Sequence, residues 1–128
     1  MPISDFRELR CWRLADRLRG EVHEICAKKT VAQDFRFCNG FRDAAGSVCR
    51  NIGEGFTRYK SGDIIQFFEY ALASLAEMKD YILESRLRRA ISDKDRDRLL
   101  DDCDHTRAMM LRFMKPHRNK SRRKQAGT

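Results

Sequence analysis

Proline is nearly missing from this chain: of 128 residues only Pro2 and Pro116 lack a backbone N–H. Nothing between them forbids a continuous helix by losing a hydrogen bond. No stretch approaches eighteen consecutive apolar residues, so no membrane-spanning helix is expected. The opening MPISDFRELRCW has no apolar run of seven or more after a charged start. It does not read as a secretory signal, and a cytoplasmic location is the expectation. Runs alternating with period two and bounded by turn residues are absent, which excludes a sheet. The five cysteines, Cys11, Cys26, Cys38, Cys49 and Cys103, are odd in number and form no CxxC pair. That argues against both a disulfide framework and a zinc site. Several fall on apolar helical positions, where a reduced thiol behaves as a small hydrophobe.

Helical spacing is abundant. With 41% hydrophobic residues, the chain has enough apolar material for one core. Between Phe6 and Ala27 the positions Cys11, Ala15, Leu18, Val22 and Ile25 recur at steps of three and four, one stripe on a helix. Gly20 interrupts this pattern at a cost of roughly 1 kcal/mol against Ala, which suggests a close helix contact there. A polar connection around residues 28–34 precedes a second stripe of Phe37, Phe41, Ala44, Ala45, Val48 and Ile52. Gly53 and Gly55 are placed to give the left-handed backbone of a helix C-terminus. Ser61 reads as the N-cap of a third helix running from about Gly62 to Arg89, with Asp63 in its first turn. The apolar residues of this helix, from Ile64 to Leu83, spread past one stripe and predict burial on two sides, one of them against another subunit. Ser92 caps a fourth helix with inner face Leu99, Cys103, Met110, Phe113 and Met114, ended by Pro116. Four helices with short connections predict an all-α, antiparallel up-and-down bundle over residues 1–115. Residues 116–128 read as a basic, disordered tail.

Candidate chemistry is sparse. NIGEGFTRYKSGD, residues 51–63, carries three glycines but has neither GxxxxGK[ST] nor GxGxxG spacing and follows a helix, not a strand. It reads as a helical corner. In DDCDH, residues 101–105, Asp101 and His105 lie one turn apart beside Asp104, a spacing that admits two metal ligands. A di-iron bundle would also need ExxH motifs, which are absent, and Cys103 takes the inner position, so a solvated face is preferred and no metal is expected. HEICA at His23 lacks the second histidine of a zincin. No local signature of a nucleophile surrounds any Cys or His, so neither an enzyme nor a cofactor is expected.

Charge is more informative. Lys and Arg outnumber Asp and Glu by 27 to 19, a net charge of +8. Six of those cations lie in residues 115–128 with no acid, leaving 21 against 19 through Met114. Arg118, Lys120, Arg122, Arg123 and Lys124 of the tail, with Arg58, Lys60, Arg86, Arg88 and Arg89 near helix ends, are candidate phosphate contacts for RNA or DNA. Composition equally admits a tail that only solubilises.

Three segments carry a resemblance. FRELRCWRLA is similar, at Phe6, Leu9, Trp12 and Ala15, to the FxxLxxWxxA opening of the small bacterial bundle proteins encoded by intervening sequences of 23S ribosomal RNA genes. RDAAGSVCRNIGEGF resembles their RxAxSIxxNIAEGF at Arg42, Ala44, Ser47, Asn51, Ile52, Glu54, Gly55 and Phe56. QFFEYALASLAEM resembles QFLxxAxxSLxEL at Gln66, Phe67, Ala71, Ser74, Leu75 and Glu77. The likeness extends over about residues 6–113, with Gly53 where the family usually has Ala and Cys49 where proline is frequent. It implies a four-helix bundle assembling into a ring-shaped homopentamer. It further implies kinship with the accessory protein of diversity-generating retroelements, whose partners are nucleic acid and a reverse transcriptase. Asn51, Glu54, Gly55, Ser74 and Glu77 are then signature residues with a structural role, since no nucleophile and base accompany them. The expected function is nucleic-acid binding by a non-enzymatic oligomer; the rival is a protein-binding scaffold.

Overall fold

The computed structural model describes residues 2–127. A single 3₁₀ turn, Phe6–Glu8, leads into four helices: α1 (Arg10–Cys26), α2 (Phe35–Phe56), α3 (Ser61–Leu87) and α4 (Asp93–Ala126). Among the described residues there is no strand. Side-chain caps start two of the helices: the Asp34 carboxylate accepts from the Phe37 N–H at 3.0 Å, and Ser92 Oγ accepts from the Asp95 N–H at 3.0 Å. Each cap satisfies one N–H that the first helical turn leaves open and contributes roughly 1 kcal/mol.

Packing follows the stripes. α1 lies against α2 and α4, and α3 lies against the same two, so the helices enclose a single core. Every predicted stripe residue of α1 and α2 is buried there, as are Leu99, Cys103, Met110 and Met114 of α4. Burying one Leu, Ile, Phe or Met side chain contributes about 1.5–3 kcal/mol, so these stripes dominate the stability of the bundle. All five cysteines are buried free thiols. On α3, Ile64, Phe68, Ala71, Leu75, Met78 and Ile82 are buried, Ile65 and Leu72 are half-buried against the core, and Leu83 is exposed.

Four local expectations are corrected. Gly53 and Gly55 do not terminate α2, which continues to Phe56, and no glycine among the described residues has a positive φ. Gly55 serves close approach instead: a Cβ there would lie 2.8 Å from Cδ1 of Phe68 and 3.2 Å from Cβ of Phe67. The third helix ends at Leu87, and its left-handed residue is Arg89 at φ 62°. There the Arg89 N–H donates to the Arg86 carbonyl at 3.0 Å and the Ala90 N–H to the Ser85 carbonyl at 2.9 Å, the paired bonds of a Schellman ending. Gly20 makes no close contact, since a Cβ on it would meet open space. Finally, α4 passes through Pro116 to Ala126, so Pro116 does not end it and residues 116–126 are helical. Proline removes one hydrogen bond, but Pro116 lies on the exposed side of α4, where water can reach the freed carbonyl.

Candidate nucleic-acid interface

The ten candidate cations divide between the two ends of α3, which is roughly 40 Å long at 1.5 Å per residue. At its C-terminal end two of the three are compensated. Arg86 is ion-paired to Asp93. Arg88 donates to Asp34 at 2.6 Å and to Glu84 at 2.9 Å, with its guanidinium 4.4 Å from the centre of the Phe37 ring. The Phe37 N–H, and after it Arg88, hold the Asp34 carboxyl below the usual carboxylate range; Arg86 does the same for Asp93. Arg86 and Arg88 therefore clasp the turn between α3 and α4 and the start of α2. Arg89 makes the helix ending with its backbone alone, and its exposed guanidinium carries no ion pair.

At the N-terminal end the balance differs. The extended α4 lies beside the α2–α3 corner, and a groove of about 460 Å³ between them is lined by Tyr59, Lys60, Ser61, Gly62, Asp63, Lys120, Ser121, Lys124 and Gln125. None of its three lysines forms an ion pair, and Asp63 is its one carboxylate. Ser61 is not the N-cap expected of it: it is already the first residue of α3, the cap position is Lys60, and no side chain caps the helix, so its leading N–H groups add their partial positive charge to the groove. Next to it, a second hollow of about 320 Å³ is lined by Ile65, Glu69, Arg118, Ser121 and Arg122. Arg118 pairs with Glu69 at 3.7 Å, whereas Arg122 and Arg123 carry no ion pair. Arg58 is engaged in place: it lies 3.7 Å from Glu54 and 4.7 Å from the centre of the Phe67 ring. His117, one turn before Lys120, packs on Phe113 with ring centres 5.3 Å apart. Burial, and then the charge of Lys120, lower its pKa.

The signature residues are brought together only in part. Ser47 Oγ and Ser74 Oγ are 2.7 Å apart, and Asn51 Nδ2 donates to the Ser47 carbonyl at 2.9 Å and to its Oγ at 3.0 Å. This polar bridge joins α2 to α3. Glu54 is exposed and accepts from Thr57, and Glu77 is exposed without an ion pair. In DDCDH, Asp104 accepts from Lys79 at 2.7 Å while Asp101 and His105 are exposed.

Two features escaped sequence reasoning. The joining of Lys60 to Lys120 and Lys124 depends on α4 continuing past Pro116, for which Pro is a negative signal. The other is a groove of about 530 Å³ floored by Phe6 and Trp12, whose rings meet edge-on at 5.3 Å, and rimmed by Arg19, Arg50 and Glu54. The paired aromatics of FRELRCW were its available signal.

An all-α bundle with a polar α2–α3 bridge at Ser47, Asn51 and Ser74 is the class of protein this fold defines. The family description 23S rRNA-intervening sequence protein matches residues 7–112, and the chain belongs to that family. Among curated proteins no sequence is similar to it. No helix of the described residues is long and apolar enough to cross a membrane.

Proposed function

We propose that this protein is a non-enzymatic helical-bundle protein that binds RNA or DNA through the basic groove where the end of α4 meets the α2–α3 corner. The observation that carries this reading is the convergence of Lys60, Lys120 and Lys124, from two separate elements, with no ion pair among them. Like charges held together repel, and a phosphate chain relieves that repulsion while releasing its condensed counterions. The short connections suit helices that alternate up and down, and the half-buried flank of α3 at Ile65 and Leu72 suits an oligomer such as the family's ring. The cytoplasm is the compartment proposed. A catalytic role finds little support: burial pushes the Cys11 and Cys49 thiols up to about 11 and those of Cys26 and Cys103 to about 12. Such thiols are not nucleophiles near neutral pH.

A specific observation favours a second reading. The Phe6–Trp12 groove is apolar with charged edges, and it suits a protein partner, a reverse transcriptase or another, on a scaffold that never touches nucleic acid. Salt dependence separates the two. The parent protein and a Lys60→Gln, Lys120→Gln, Lys124→Gln triple variant are titrated into labelled structured RNA and duplex DNA across a salt series. Phosphate contacts predict that log K falls with log salt and that the triple variant loses about 2–3 units of slope. No binding by the parent near physiological salt would leave the scaffold reading.

A further inference from the structure

We propose that the basic groove takes unpaired, single-stranded nucleic acid, with a base stacked on the ring of Tyr59. This rests on the nucleic-acid reading above and adds what that reading does not specify, the strandedness of the ligand.

Tyr59 is 97% exposed, the most exposed of the large apolar-bodied side chains. It has no ring contact and no hydrogen bond, whereas its aromatic neighbours are engaged: Phe56 packs against the core, Phe67 lies under Arg58 and against Tyr70, and Phe68 stacks on Phe113 at 4.7 Å. A tyrosine ring normally buries much of its surface, about 150–250 Å², so one held out in water beside three unpaired lysines is fit to receive a flat partner. It projects from the short connection between Phe56 and Ser61 and lines the same groove as Lys60, Lys120 and Lys124.

The groove's shape selects between ligands. Lys120 and Lys124 lie one turn apart along α4, about 6 Å, and Lys60 and Tyr59 line the same groove from the corner, so ring and cations share one concave site. A backbone can track these charges while a base turns onto the ring. In a duplex the bases already stack on one another and offer a side chain only their edges. An unpaired base offers its π-face, and each base–aromatic stack contributes about 1–3 kcal/mol irrespective of sequence.

The test is fluorescence anisotropy with oligo-U and oligo-dT strands and a blunt duplex of equal length, against the parent, Tyr59→Ala, Tyr59→Phe and the lysine triple variant. Both strands are expected to bind the parent more tightly than the duplex does. Tyr59→Ala is expected to weaken strand binding about 5- to 150-fold, with salt slope and duplex binding unchanged, and Tyr59→Phe to bind like the parent. An exposed ring leaves the fold alone, which an unchanged melting curve would confirm. If Tyr59→Ala binds strands like the parent while the lysine variant does not, stacking is overturned and the nucleic-acid reading stands. A duplex bound as tightly as the strands also overturns the proposal. If the parent binds none of the three probes, both readings fall together.

Discussion

Gly20 and Gly55 sit in similar helices, yet a methyl group added to each should act in opposite directions. In α1, Gly20 faces open space, and replacing it removes backbone freedom from the unfolded chain without creating a contact. Gly20→Ala should raise stability by about 0.5–1 kcal/mol. In α2, Gly55 lets Phe68 approach so closely that a Cβ would overlap its ring. Gly55→Ala should cost about 1–3 kcal/mol, the usual penalty for overpacking a filled core. Paired thermal or urea melts check both, and a loss of stability at Gly20 would show a constraint not visible in the geometry. Sequence alone gave these two positions the wrong reasons, because a helix-ending glycine and a close-approach glycine leave the same letter. It also could not flag Arg89, where the left-handed conformation is taken by a residue that ordinarily avoids it.

At the scale of the element, α4 is where reading and structure part most. Its inner face was legible as far as Met114 because burial imposes the three-and-four spacing. Beyond that the spacing stops, for residues 115–126 are largely exposed and their helix is supported by few contacts, such as those of His117 and Arg118. His117 makes this end sensitive to acid. Its pKa is lowered in the folded state, first by burial and then by Lys120, so the unfolded or frayed end binds a proton more readily than the packed one. The stabilisation is therefore fully present above the ordinary histidine value, about 6.5, and is lost as pH falls from there through the lowered folded value. Amide protection factors around residues 113–120, corrected for the intrinsic slowing of exchange in acid, should fall between pH 7 and acid pH, while the buried part of α3 stays protected. His117→Leu should flatten that dependence. Exchange that is equally steep in the variant would assign the effect to another group.

For the molecule as a whole, net charge predicted less than its placement. The basic count pointed to phosphate, but the chain spends its cations in two ways that only the fold distinguishes. Arg86 and Arg88 stand close to Asp93, Asp34 and Glu84, where they tie helices together. Lys60, Lys120 and Lys124 stand at the opposite end of α3 with one carboxylate among them. Side chains that already hold a partner must give it up to meet a phosphate, whereas unpaired ones gain without loss. The two groups should thus separate experimentally. Arg88→Gln should lower the melting temperature and leave nucleic-acid affinity at a given salt nearly unchanged. The lysine triple variant should do the reverse, with an unchanged or slightly higher melting temperature, as mutual repulsion is removed, and weaker binding. Melting curves and binding isotherms on the same preparations check the pair. A loss of affinity on Arg88→Gln equal to that of the lysine variant would place the contact surface along the whole length of α3 rather than at one end.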